Sequence, residues 1–157
     1  TMSEPIPTSA VRALVRVTAH ALGVWTPALE EVLLMIAAHE SHMGKYVRQI
    51  GGGPALGWWQ MEPATHDDCM RIVVPRRTHW LPALRLYASP RGLSAETMAV
   101  NPAYACAMAC MQVQRFDTLP TDASNVRSMA AFAKMRWNGG GKASVGDYEL
   151  AYRERVA

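Results

Sequence analysis

Residues 104–113, YACAMACMQV, are apolar or small on nearly every side of a helical wheel. A helix without a polar face does not lie on a surface; it has to be enclosed by other elements. Asn101-Pro102, just ahead of it, is a capping residue followed by proline at the first helical position, where the missing N–H does no harm. The stretch therefore predicts a helix from Asn101 to about Phe116, buried at the centre of shorter helices. A ring of helices around one buried helix is a way to build a domain with a cleft, and 157 residues suffice for one such domain.

The rest of the chain is punctuated in the same way. Thr8 or Ser9 opens a helix to about Leu22. Thr26-Pro27 repeats the cap-and-proline signal and starts a helix to about His42, with Glu30 and Glu31 in its first turns. GGGPALG, residues 51–57, is a loop or short hairpin that no helix tolerates. Pro63 opens a helix through Val74, and a shorter helix lies between Pro75 and Tyr87. Ser124 caps a helix to Trp137, which NGGG (138–141) ends with residues suited to left-handed backbone. Ser144 or Val145 begins a last helix. Strand alternation is confined to a possible hairpin near 46–60, and there is no repeat or linker. The expected fold class is mainly α: one domain over residues 1–157 with a buried central helix, a cleft and at most a small β-hairpin.

Composition excludes several classes. Half the residues are hydrophobic and 18% are charged, as in a folded globular chain. A net charge of +3 without a basic run argues against a nucleic-acid partner and suits, at most, a polyanionic surface such as a bacterial wall. The three cysteines, Cys69, Cys106 and Cys110, read as small buried hydrophobes of a reducing compartment rather than as disulfides or metal ligands. Val32–Ala38 is the most apolar run and is too short to cross a membrane. Without a basic segment and apolar run at its start, the chain is expected to be made as a soluble cytoplasmic protein.

Glu40, within MIAAHESHMG, is the chemically interesting residue. On a wheel it falls inside the stripe formed by Leu29, Val32, Leu33, Ile36 and Met43. A carboxylate there needs a partner or must hold its proton. Two readings follow: a structural glutamate paired with an arginine or backbone donors, or a general acid at a helix end opening on a cleft. His39 and His42 lie together on the flank of the stripe. Their spacing, H-E-x-H, falls one short of the H-E-x-x-H that brings two histidines to one zinc, and His66 or His79 would have to add a ligand.

Two further elements carry matching chemistry. GWWQMEPAT, residues 57–65, sets Trp58 and Trp59 beside Gln60: flat apolar faces next to an amide, the mixture that sugar rings present in complement. Core packing of at least one tryptophan is the plainer reading. In RWNGGGKAS, Trp137 completes an apolar stripe with Val126, Met129, Ala130 and Ala133, and Asn138 stands at the helix end as a cap or a ligand contact.

Taken together, Glu40-Ser41, a glycine-rich loop, Gly57-x-x-Gln60-x-x-Pro63-x-Thr65 and Trp137-Asn138-x-Gly140 resemble the lysozyme superfamily, in the branch of soluble lytic transglycosylases and goose-type lysozymes. The wording has the flavour of phage-encoded wall-degrading proteins, or endolysins, and the likeness spans roughly residues 27–155. It implies a lysozyme-like fold with Glu40 as the catalytic acid. It implies substrate contacts from Ser41, Gly57, Trp58, Trp59, Gln60, Glu62, Trp137 and Asn138, with no metal or cofactor. The implied substrate is the β-1,4 bond between N-acetylmuramic acid and N-acetylglucosamine in peptidoglycan, cut by a monomer acting on the wall in the periplasm, with no nucleic acid and no stable membrane insertion. Either the muramic 6-hydroxyl closes an anhydro ring, as in a lytic transglycosylase, or water enters, as in a lysozyme. The more distant alternatives are a metallohydrolase using His39, His42 and a further histidine, and a non-catalytic wall-binding virion protein. Glu62, Asp67 and Asp68 are the candidates for a second carboxylate. GWWQ replaces the usual GLMQ, Glu62 replaces an apolar residue, and the last motif lacks its usual tyrosine.

Overall fold

Two enclosed helices carry the core. The computed structural model describes residues 4–116 and 118–157, and within them the chain is mainly helical, 61% helix against 3% strand, with no sheet. The first half holds α1 (Thr8–Ala21), α2 (Pro27–Ser41), α3 (Pro63–Asp68) and α4 (Leu81–Ala88). The second holds α5 (Thr97–Val100), α6 (Pro102–Gln114), α7 (Val126–Trp137) and α8 (Val145–Arg155). Every side chain of Val32–Ala38 in α2 and of Tyr104–Val113 in α6 is buried. Helix α1 lies against both, α7 and α8 close over α2, and α4 and α5 close over α6.

Both cap-and-proline signals work as physical chemistry dictates. Thr26 Oγ1 accepts the Leu29 N–H at 3.0 Å, and Asn101 Oδ1 accepts the Tyr104 N–H at 3.0 Å. Helix α7 is capped one residue later than expected, by Asn125 to Ser128 N–H, because Ser124 is turned back onto Asp122. Helix α1 has no side-chain cap; Thr8 instead donates to the Arg155 carbonyl at 2.6 Å, tying the start of α1 to the end of α8. The helix expected over Pro63–Val74 stays α-helical only to Asp68. It then widens into a π turn over Cys69–Val73 and tightens to 3-10 over Val74–Arg76. Pro75 cannot donate to the carbonyl four residues back, so the ordinary ladder has to break there. Around residues 46–61 the expected hairpin is reduced to isolated antiparallel bridges, Arg48 to Leu56 and Leu56 to Met61.

The amphipathic wheel for α2 needs correction. Leu34, Met35, Ala37 and Ala38 lie off the assumed stripe and are as buried as those on it, and Met43 lies beyond the helix end. Enclosure by several helices, not one apolar stripe, surrounds Glu40. The three cysteines are buried and free, and burial pushes the Cys69 thiol up to about 12. Among the described residues no helix is long and apolar enough to cross a membrane.

Glu30, in the first turn of α2, is 3% exposed. It accepts from Arg12 Nη1 at 2.7 Å, from Arg16 Nε and Nη2 at 2.8 Å and from Trp25 Nε1 at 2.9 Å. Burial pushes its pKa up, but the hydrogen bonds from Arg16, Trp25 and Arg12 outweigh it and bring the carboxyl down to about 2. A carboxylate depressed by folding contributes stability above its unfolded value, and that contribution is lost as pH falls through the folded one. Urea midpoints should therefore drop between about pH 4.5 and pH 2. Glu30→Gln should be less stable at pH 7 and lose much of that slope; an unchanged slope would contradict the assignment.

Candidate active site

Helix α2 ends at Ser41, and three left-handed residues follow: His42, Met43 and Gly44, with φ of 50°, 58° and 78°. Two of them carry side chains, which disfavours the conformation by about 1 kcal/mol or more each. Ser41 holds the turn. Its hydroxyl donates to the Trp58 carbonyl at 2.5 Å, lies 3.2 Å from the Ala37 carbonyl and accepts the Gly44 N–H at 2.9 Å. The end of α2 is thereby fastened to the Trp58-Trp59 segment.

That segment is fastened on two more sides. The Trp59 indole is buried and donates to the Leu33 carbonyl in α2 at 3.0 Å. The Trp137 indole, from the last turn of α7, donates to the Trp59 carbonyl at 3.0 Å. Gly57 has φ 77°, and a Cβ on it would stand 2.6 Å from the Met98 carbonyl oxygen, so glycine is required twice over. The half-buried Trp58 ring packs over Gly44. Gln60 follows at φ 50°, with its amide nitrogen donating to the Gly57 carbonyl at 2.9 Å.

A hollow of about 680 Å³ opens at this junction. Glu40, Gln60, Glu62, Trp137 and Asn138 line it, together with Tyr46 and Ile50. Ser41, Gly57, Trp58 and Trp59 do not line it. The four expected as substrate contacts stand outside the lining and act as the joints behind the wall. Asn138 occupies the C-cap position of α7, and its buried Oδ1 has no hydrogen-bond partner among the described residues. Lys134 secures the turn after it, donating to the Asn138 and Gly141 carbonyls at 2.8 Å each.

Glu40 is 15% exposed in its side chain. Tyr148, fully buried in α8, donates its hydroxyl to Glu40 Oε1. Burial, with the charge and hydrogen bond of Glu40 added, lifts the Tyr148 phenol far above the ordinary tyrosine range, so it stays a donor; a polar contact from Asn138 works weakly the other way. The nearest basic group is His39 Nδ1 at 3.4 Å, and no Arg or Lys among the described residues pairs with Glu40. The arginine-paired glutamate is Glu30 instead. Tyr148 escaped sequence reading because its partner lies 108 residues away. The spacing of Tyr148, Ala151 and Tyr152 marks a core-facing stripe but not what it meets.

The remaining candidates separate. Glu62 is exposed, makes no capping hydrogen bond to α3 and faces the hollow. Asp67 pairs with His66 at 2.8 Å, and Asp68 with Arg71 and Arg115 at 2.7 and 3.0 Å; neither reaches the hollow. His39 and His42 border a second hollow of about 270 Å³ with Asp147 and Glu154. His66 is buried and turned to the Tyr104 hydroxyl at 2.7 Å. Among the described residues no three His, Cys, Asp or Glu side chains are placed to share a metal ion.

Compared with known proteins, the chain matches no family model, no curated protein and no solved structure.

Ser41→Ala should lower unfolding free energy by about 2 kcal/mol, since the buried Gly44 N–H and the part-buried Trp58 carbonyl lose this partner together. Urea unfolding at neutral pH reads this; a loss under about 0.5 kcal/mol would contradict the joint.

Proposed function

We propose that the protein is a lysozyme-like, peptidoglycan-cleaving glycosidase that cuts the β-1,4 bond between N-acetylmuramic acid and N-acetylglucosamine, most simply as a lytic transglycosylase. One observation carries this reading. Glu40 lines a hollow of glycan-binding size with a phenol O–H as its donor and no Arg or Lys partner among the described residues, whereas Glu30 on the same helix is held by two arginines. A carboxyl left without a fixed counter-charge can carry a proton to a substrate and take one back.

The hollow suits a sugar. Tyr46, Ile50 and Trp137 offer apolar faces for the C–H side of a pyranose ring, and Gln60 and Asn138 offer amides for its hydroxyl and acetamido groups. Glu40 gives its proton to the glycosidic oxygen as the C1–O bond breaks and positive charge develops at C1. The muramic 6-hydroxyl then bonds to C1 and passes its proton to the Glu40 carboxylate, which restores the acid and leaves a 1,6-anhydro ring. Tyr148 keeps the carboxyl oriented through the cycle. No cofactor enters this chemistry. The enzyme would work as a monomer on glycan strands of the wall.

Glu62 favours a second reading. An exposed carboxylate in the same hollow is placed to activate water, which would make the enzyme a hydrolytic lysozyme.

Mass spectrometry of soluble fragments from purified peptidoglycan separates the two. Anhydro-muramic ends are expected, and Glu62→Gln should leave their yield within a few-fold. Reducing muramic ends, one water heavier, would select the hydrolytic reading. Release of no glycan fragments would overturn both.

A further inference from the structure

The same hollow contains a cation that the cleavage chemistry leaves unused. Arg136, in the last turn of α7, lines it two residues before Asn138. Its guanidinium carbon lies 4.8 Å from the centre of the Phe116 ring, a cation–π contact that restrains the group. Arg12, Arg115 and Arg127 each have a carboxylate partner, but no carboxylate among the described residues pairs with Arg136. Four residues before Phe116, Gln112 also reaches the hollow from α6. Arg115 Nη1 donates to its Oε1 at 3.1 Å, which fixes the amide orientation and leaves the amide nitrogen to donate.

A half-buried guanidinium without a carboxylate partner among the described residues, placed over a ring and accompanied by an amide donor, fits a planar anion. Glu62, exposed in the same lining, repels such a group on its own side of the hollow. We propose that Arg136 and Gln112 form a carboxylate-binding corner, and that Arg136 selects acidic glycans over neutral ones. Resting on the peptidoglycan reading, the inference names the ligand group as a carboxylate on the muramic residue. It has two sources: the lactyl carboxylate of a bare muramic acid, or a carboxylate of its peptide stem.

Calorimetric titration in the Glu40→Gln background, where no bond is cut, tests this with three tetrasaccharides. They are an all-N-acetylglucosamine chain, an alternating chain with free lactyl groups, and the same alternating chain bearing peptide stems. One acidic ligand should bind about tenfold tighter than the neutral chain, and which one does so names the source. Arg136→Gln should remove that preference while leaving the neutral affinity in place; Arg136→Lys, which keeps the charge without the fork, should retain part of it. An acidic-to-neutral ratio unchanged in Arg136→Gln overturns the inference and leaves the glycosidase reading standing. If Arg136→Gln does not fold, an unchanged ratio in Arg136→Lys overturns it equally. Failure of all three chains to bind would sink the peptidoglycan reading itself, and this inference with it.

Discussion

The backbone of Trp58-Trp59 is the point on which the site hangs. Its two carbonyls receive the Ser41 hydroxyl from the end of α2 and the Trp137 indole from the end of α7, while the Trp59 ring is anchored into α2 through the Leu33 carbonyl. Segments distant in sequence are brought to one place by three side-chain-to-backbone bonds. Each is buried or partly buried, where an unmade bond is expensive, so the geometry they impose is stiff. Strained backbone at His42, Met43 and Gln60 persists because these bonds over-determine it. Glycine at 57 lets the segment lie against the Met98 carbonyl.

Helix α2 carries two glutamates with opposite fates. Glu30 begins the helix surrounded by donors from α1 and Trp25, and its charge is fully answered inside the protein. Glu40 comes near its end, where the packing opens into a hollow and its partners are the Tyr148 phenol and, at 3.4 Å, His39 Nδ1. The first arrangement locks an ion in place and holds α1 to α2. The second leaves a carboxyl facing the hollow without an Arg or Lys partner among the described residues, the placement the proposed acid role requires. One helix thus links the stability of the domain to the proposed chemistry.

Much of the fold was legible because its signals are local. Proline after Thr26 and Asn101 marks helix starts whatever surrounds them, and an all-apolar α6 has no place except the interior. What was not legible is tertiary. The wheel was drawn through Met43, but the helix stops at Ser41, and the π turn at Cys69–Val73 answers to Pro75 and its packing rather than to propensity. In the site, the amides and carboxylates that sequence singled out, Glu40, Gln60, Glu62 and Asn138, do share one hollow. The paired tryptophans read either as a sugar platform or as core with at least one buried; Trp59 is core, and both also lend backbone carbonyls to the joint. No sequence signal distinguishes a tryptophan that offers its face from one that offers its carbonyl. Tyr148 was invisible for the complementary reason, that its role exists only once α8 has packed on α2.

The central claim is that Glu40 moves the proton, and the isosteric change Glu40→Gln tests it most directly because glutamine keeps an acceptor for Tyr148. Release of soluble glycan from purified peptidoglycan should fall by about 10²–10⁴-fold in Glu40→Gln, with the melting temperature changed by no more than a few degrees. A folded Glu40→Gln protein that digests the substrate within a few-fold of the wild-type rate would contradict the claim.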